Sequence, residues 1–142
     1  MLFRSDDTYF HAYVDAGGRY RLVGERGTVR LLTLSMGRTA MGLGDRPGPS
    51  LGYFDLDGYQ GADGKLEILL SSVRPAGYTG AWIPLHAEAD YLLVRARSYD
   101  WGGERDARLA IERVDGTPIK PRLSAAELDR RLRETQIGRA HV

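Results

Sequence analysis

The sequence predicts an all-β fold, an antiparallel β-sandwich or jelly-roll-like domain that ends in the start of one helix. Two observations lead to this prediction. Short runs of alternating apolar and polar residues recur along the chain, and clusters of Gly, Pro and Asp separate them. The central runs have a period of two residues, as a sheet that is buried on one face requires.

Seven segments carry this strand pattern: 8–15, 19–25, 28–36, 51–56, 65–71, 91–99 and 107–114. Short glycine-containing turns separate the first three, because glycine reaches positive φ without steric cost, and they predict a meander of neighbouring strands. Residues 37–49 are rich in glycine and proline and predict an exposed loop. Residues 74–90 predict a long connection.

One helix is predicted, over residues 124–135. Ser124 and Glu127 form a capping box, in which the serine hydroxyl accepts a backbone N–H and the glutamate reaches back. Leu128 and Leu132 share a face at i and i+4, and Leu123 is placed to pack against Leu128.

The two ends of the chain differ from the rest. Residues 136–142, Q-I-G-R-A-H-V, can be back-translated to a string that, apart from its first base, resembles the start of a common sequencing adapter. Residues 1–5, M-L-F-R-S, can be back-translated to a string similar to the reverse complement of that adapter, with GTG as start codon. We therefore expect both ends to be artefacts, and leave them out of the fold prediction. The expected organisation is a truncated β-rich domain over 6–123 and the start of a helix over 124–135, both from a longer parent chain.

Composition excludes several classes of protein. Without Arg4 and Arg139, 18 basic residues face 19 acidic ones, and no basic stripe indicates nucleic-acid binding. The absence of cysteine excludes disulfides, thiolate metal sites and a cysteine nucleophile. No apolar run approaches the length of a membrane span, so we expect a soluble protein. Its compartment and oligomeric state are unknown.

Four segments together resemble a known family of bacterial proteins. They are Y-R-L-V-G-E-R-G at 20–27, G-A-W-I-P-L at 80–85, Y-L-L-V-R-A-R-S-Y-D-W at 91–101 and A-R-L-A-I-E-R-V at 107–114. Their order and spacing are similar to the domain of unknown function 1214 family. The resemblance implies a β-rich internal portion of a longer protein, with Trp82 and Arg95 at recurring positions. It implies no activity, because none is assigned to the family.

Several patterns resemble catalytic or metal-binding motifs without meeting their requirements. Residues 48–52 match G-x-S-x-G, but a loop precedes Ser50 and a strand follows it, whereas a nucleophile elbow needs a strand and then a helix. The remaining patterns are better explained by turns, by loop flexibility or by side chains with ordinary hydrogen-bond partners than by a catalytic or ligand-binding role. They are Asp55, Asp57 and Asp63 as a cation loop, His11 and His86 as ligands or acid–base groups, and Gly42-x-Gly44 as a phosphate cradle. The sequence therefore predicts no catalytic residue, no metal and no cofactor.

Aromatic and arginine side chains form the most informative set. Flat rings and guanidinium forks are what a sugar or carboxylate site uses, through stacking and paired hydrogen bonds. The candidate ligand-binding residues are Tyr78, Trp82, Arg95, Arg97, Tyr99 and Trp101, with Asp100 beside them. The competing interpretation is structural: the rings cap the core at sheet edges, and the arginines pair with Glu67 or Glu112 across strands.

Two functional hypotheses follow. The first is a β module of a longer protein that is structural or binds a carbohydrate or another small polar ligand. The alternative is that the chain forms part of the substrate cleft of an enzyme whose catalytic residues lie partly outside it. An oligomerisation surface, formed by unpaired edge strands, is a third possibility.

Overall fold

The computed structural model describes residues 6–39, 48–116 and 122–137 of the chain, the last of these without the side chains of residues 131 and 134–137. Eight strands, one 3₁₀ helix and one α-helix lie in these residues. In chain order they are β1 (Asp7–Tyr13), β2 (Tyr20–Glu25), β3 (Leu31–Gly37), β4 (Ser50–Asp55), a 3₁₀ helix (Leu56–Tyr59), β5 (Lys65–Ser71), β6 (Ala81–Pro84), β7 (Tyr91–Arg97), β8 (Arg108–Arg113) and α1 (Ala125–Ile137).

The strands form two four-stranded sheets. The front sheet has the order β1-β7-β3-β4 and is antiparallel throughout. The back sheet has the order β6-β5-β2-β8, and in it only β5 and β6 run parallel. The predicted all-β class, an antiparallel-dominated sandwich with one C-terminal helix, is confirmed.

The core lies between the two sheets, where alternate residues of each strand turn inward. On β7 the buried residues are Leu92, Val94 and Ala96, while the residues between them are half-buried. On β5 the same alternation buries Leu66, Ile68 and Leu70. The two sets belong to one cluster of buried side chains, so both sheets contribute to a single core.

The predicted meander of the first three strands is wrong. β1 pairs with β7 rather than β2, and β7 also pairs with β3. β2 lies in the opposite sheet, between β5 and β8. The glycine turn after β1 is present, with Gly18 N–H donating to the carbonyl of Asp15, but it carries the chain across to the other sheet.

Two further differences concern connections. The predicted long connection over 74–90 contains β6, a short edge strand. Of the predicted loop over 37–49, Gly37 ends β3, and residues 40–47, including Gly42-x-Gly44, lie outside the described part of the chain.

The predicted helix is confirmed at its start. α1 begins at Ala125, and the Ser124 hydroxyl accepts the backbone N–H of Glu127 at 3.1 Å, which is the first half of the capping box. In the described ranges, no helix is long and apolar enough to cross a membrane.

Candidate functional site

The outer face of the front sheet carries five aromatic rings. Successive side chains of a strand point to opposite faces. On β1 and β7, the residues that alternate with the inward-facing Phe10 and Val94 therefore point outward. The outward rings are Tyr9, His11 and Tyr13 on β1, Tyr91 on β7 and Tyr53 on β4. We call these five residues the tyrosine platform.

Strand register brings the rings of the platform onto one surface. Tyr13 lies opposite Tyr91, and His11 lies opposite Leu93, which is in turn opposite Ser35 on β3. Ser35 lies opposite Tyr53 on β4. Tyr9 and Tyr13 are four residue steps apart on β1, about 13 Å, and three strand spacings separate His11 from Tyr53, about 14 Å. The platform is therefore wide enough for a short oligosaccharide.

Three rings of the platform are largely open to solvent. The exposed fractions of Tyr9, Tyr13 and Tyr53 are 53%, 56% and 62%. His11 stacks on Tyr91, with ring centroids 5.7 Å apart and planes 19° apart, and meets Tyr13 edge-on at 4.8 Å. These contacts hold His11 and Tyr91 in place, and flat rings held on a rigid sheet are suited to stacking against the apolar face of a sugar.

A charged cluster lies at the Tyr9 end of the platform. Arg97 donates to both oxygens of Asp7, from Nε at 2.8 Å and from Nη2 at 2.9 Å. Arg95 donates from Nη2 to the Oδ2 atom of Asp7 at 2.7 Å. The side chain of Asp7 is only 12% exposed, whereas those of Arg95 and Arg97 are 34% and 35% exposed. The cluster ties β1 to β7.

The two guanidinium groups determine how Asp7 titrates. Hydrogen bonds from Arg97 and Arg95 hold the pKa of the Asp7 carboxyl well below its usual range, against the opposing effect of its desolvation. In return, the hydrogen bond to Asp7 raises the pKa of Arg97 and of Arg95. Within the described residues, Arg95 Nε is the one buried side-chain polar atom that has no hydrogen-bond partner.

The predicted site residues Tyr99 and Trp101 lie beside this cluster. Both rings are exposed, and Trp101 Nε1 donates to the Oδ1 atom of Asp6 at 3.2 Å. The Glu104 carboxylate holds the turn that contains both rings, because it accepts hydrogen bonds from the Ser98 hydroxyl at 2.6 Å and from the Tyr99 N–H at 3.1 Å. Arg95, Arg97, Tyr99 and Trp101 therefore belong to one end of the front sheet.

Tyr78 and Trp82 belong to the other sheet. Trp82 lies on β6 and donates from Nε1 to the hydroxyl of Ser71 on β5 at 3.0 Å. Tyr78 precedes β6, and its hydroxyl donates to the carbonyl of Ala81 at 3.3 Å. The six predicted residues thus form two separate groups, one with the front sheet and one with the back sheet, on opposite sides of the shared core.

The proposed pairing of the sheet arginines with Glu67 or Glu112 is wrong. Both glutamates pair with Arg21 on the outer face of the back sheet. Arg95 and Arg97 pair with Asp7, because β1 rather than β5 or β8 is the neighbour of β7.

The other motifs have structural explanations. Asp55 caps the 3₁₀ helix by accepting the N–H of Asp57, Asp57 pairs with Arg26 at 2.6 Å, and Asp63 pairs with Lys65 at 3.0 Å. Ser50 begins β4. In the part of the chain that the structure describes, no group of three His, Cys, Asp or Glu side chains is placed to hold a metal ion.

A polar cleft of about 510 Å³ lies where β2 ends and where β5 and β8 begin. Three carboxylates, two guanidinium groups and two glycines with positive φ line it. The lining residues are Glu25, Gly27, Asp63, Gly64, Arg105, Asp106 and Arg108. Sequence reasoning missed this cleft, because its residues come from three separate parts of the chain.

Sequence reasoning also missed the tyrosine platform, although one signal was present. The run T-Y-F-H-A-Y at residues 8–13 places three rings on a single face of a strand. Tyr91 joins them through the pairing of β1 with β7, and Tyr53 through the further pairings of β7 with β3 and of β3 with β4, which no local pattern specifies.

Comparison with known proteins defines the fold class but no activity. No family model matches the chain, and no curated protein matches it. A crystal structure of an uncharacterized protein from Burkholderia cenocepacia is similar, with 30% sequence identity and a TM-score of 0.78. The match covers 94% of this chain and 36% of that chain. This chain therefore shares the β fold of the matched part of that protein and spans about a third of its length.

Proposed function

We propose that this chain is a carbohydrate-binding β module and that the tyrosine platform holds the sugar. The observation that carries the proposal is the surface itself: three exposed tyrosine rings and a stacked histidine on one rigid sheet face. Exposed aromatic side chains in this number are costly unless a partner covers them, and sugar rings have an apolar face that stacks on tyrosine.

The charged cluster favours a neutral saccharide over an acidic one. Asp7 occupies both Nε and Nη2 of Arg97, and on Arg95 it occupies Nη2 while Nε is buried, so neither group presents its Nε–Nη2 fork to a ligand carboxylate. The cluster instead supplies polar atoms beside the rings, where the hydroxyl groups of a neutral sugar can form single hydrogen bonds.

The experiment is affinity gel electrophoresis with neutral polysaccharides (a cellulose-type glucan, xylan and mannan) and with polygalacturonate. We expect at least one neutral polysaccharide to retard the chain. Each stacked ring contributes about 1 kcal/mol, so the double variant Tyr9→Ala with Tyr53→Ala is expected to bind about 30-fold more weakly.

Tyr78→Ala is the matched control, because it removes a tyrosine from the back-sheet side of the molecule. It is expected to leave retardation unchanged. Retardation by polygalacturonate alone, an equal loss in Tyr78→Ala, or no retardation in any gel would each reject the proposal.

The polar cleft supports a second candidate, in which the chain forms part of an enzyme's substrate cleft. Carboxylates and guanidinium groups both line this cleft, and its volume is in the range of ligand sites. Incubating the chain with the polysaccharide that it binds, and measuring new reducing ends, separates the two candidates. Release of new reducing ends that is lost in Asp106→Asn supports the candidate enzyme cleft. Binding of the polysaccharide without any release supports the carbohydrate-binding module.

We also propose, from the four segments at 20–27, 80–85, 91–101 and 107–114, that the chain is a member of the domain of unknown function 1214 family. Membership assigns no activity, so the binding proposal rests on the tyrosine platform alone.

A further inference from the structure

One side of the sandwich is open. β1 is an edge strand of the front sheet and β8 is an edge strand of the back sheet. Between them lies an apolar cavity of about 230 Å³ that reaches core residues of both sheets. Its lining includes Phe10, Leu22, Val94, Leu109 and Ile111. We call this cavity the lateral opening.

The described residues hold a second uncovered apolar surface, on α1. Leu128 and Leu132 lie four residues apart on one face of the helix, and Leu123 precedes it. All three side chains are about half exposed. Within the described residues, α1 has no extensive packing contact with any strand. A single short amphipathic helix gains most of its stability from packing its apolar face, so α1 lacks what ordinarily stabilises such a helix.

The dimensions of the two surfaces match. α1 has 13 residues and is therefore about 20 Å long, and the six residues of β8 extend over about 20 Å. Residues 114–124 connect them, and a chain of that length can span up to about 36 Å. The connection is therefore long enough to turn back and lay α1 along β8.

We propose that α1 docks on the lateral opening of its own chain, with Leu128 and Leu132 against the residues between β1 and β8. The docked helix closes the sandwich on its open side and removes two apolar surfaces from water at once. The connection to β8 makes docking intramolecular, which gives it a high effective concentration over docking on another copy.

Disulfide trapping tests the proposal, since the chain has no cysteine of its own. Ala12 lines the opening and is small, so Ala12→Cys perturbs little. We expect mild oxidation of the double variant Ala12→Cys with Leu128→Cys, or of Ala12→Cys with Leu132→Cys, to form a disulfide within one chain. Val73→Cys paired with Leu128→Cys is the control, because Val73 is exposed just beyond β5. It is expected to remain reduced.

A second measurement covers the case in which disulfide geometry is unfavourable. The double variant Leu128→Ser with Leu132→Ser is expected to lower the Tm by roughly 5 °C and to increase binding of an apolar dye several-fold. Arg133→Ser, on the same helix, is expected to change neither. Disulfide-linked dimers would show that a second copy of the chain covers the lateral opening. Absence of any disulfide, together with an unchanged Tm of the double serine variant, would show that α1 does not cover it. Either result overturns the proposal.

Discussion

Asp7→Asn is expected to destabilise the fold by about 2 kcal/mol. The substitution replaces the carboxylate that accepts three hydrogen bonds from Arg95 and Arg97 with a neutral amide, which has one acceptor oxygen and a donor NH₂ group facing the guanidinium groups. Breaking a fully buried ion pair costs about 3–5 kcal/mol, and an exposed pair about 0–1 kcal/mol. The value lies between these limits because Asp7 is 12% exposed while its partners are about one-third exposed.

Differential scanning calorimetry at neutral pH measures this loss. For a chain of this length, about 2 kcal/mol corresponds to a Tm lowered by roughly 6–10 °C. Asp63→Asn is the matched control, because its ion pair with Lys65 is exposed on both sides, and its Tm is expected to change little. A Tm of Asp7→Asn equal to that of the control would refute the assignment of a stabilising role to the cluster.

Four further predictions concern pH, backbone and capping. The pKa of Asp7 is lower in the folded than in the unfolded chain. The difference in unfolding free energy between the native protein and Asp7→Asn should therefore be constant above about pH 5 and shrink below about pH 4. Urea titrations at each pH measure this difference. Arg97→Lys should cost more stability than Arg95→Lys in chemical denaturation, because only Arg97 contacts both oxygens of Asp7. Gly24→Ala should destabilise by about 3 kcal/mol in the same assay, since Gly24 has φ +148° and an added Cβ would lie 1.9 Å from the Arg108 carbonyl oxygen. Ser124→Ala should reduce the helical circular dichroism signal, through loss of the N-terminal cap of α1.

The strands could be predicted from sequence because burial on one face leaves a local signal. The segment 65–71 coincides with β5, and most other strands differ from their predicted bounds by one to three residues at an end. β6 was missed, because it is four residues long and ends at Pro84. A short edge strand next to a single neighbour needs no alternating pattern.

The arrangement of the strands could not be predicted, because it depends on contacts between distant parts of the chain. β1 and β7 pair although about 80 residues separate them, and no turn connects them. The pairing of β1 with β7 also determines which candidate residues lie together. It places Arg95 and Arg97 against Asp7 and beside Tyr9, whereas Tyr78 and Trp82 lie with the other sheet.

The most direct test of the tyrosine platform is an NMR titration of the ¹⁵N-labelled chain with a neutral hexasaccharide of the polysaccharide that retards it. The proposed function predicts that the backbone amide signals of Tyr9, His11, Tyr13 and Tyr53 shift in a saturable way, while that of Trp82 stays in place. Shifts centred on Trp82 or on the polar cleft, or none at concentrations that retard the chain in gels, would contradict it.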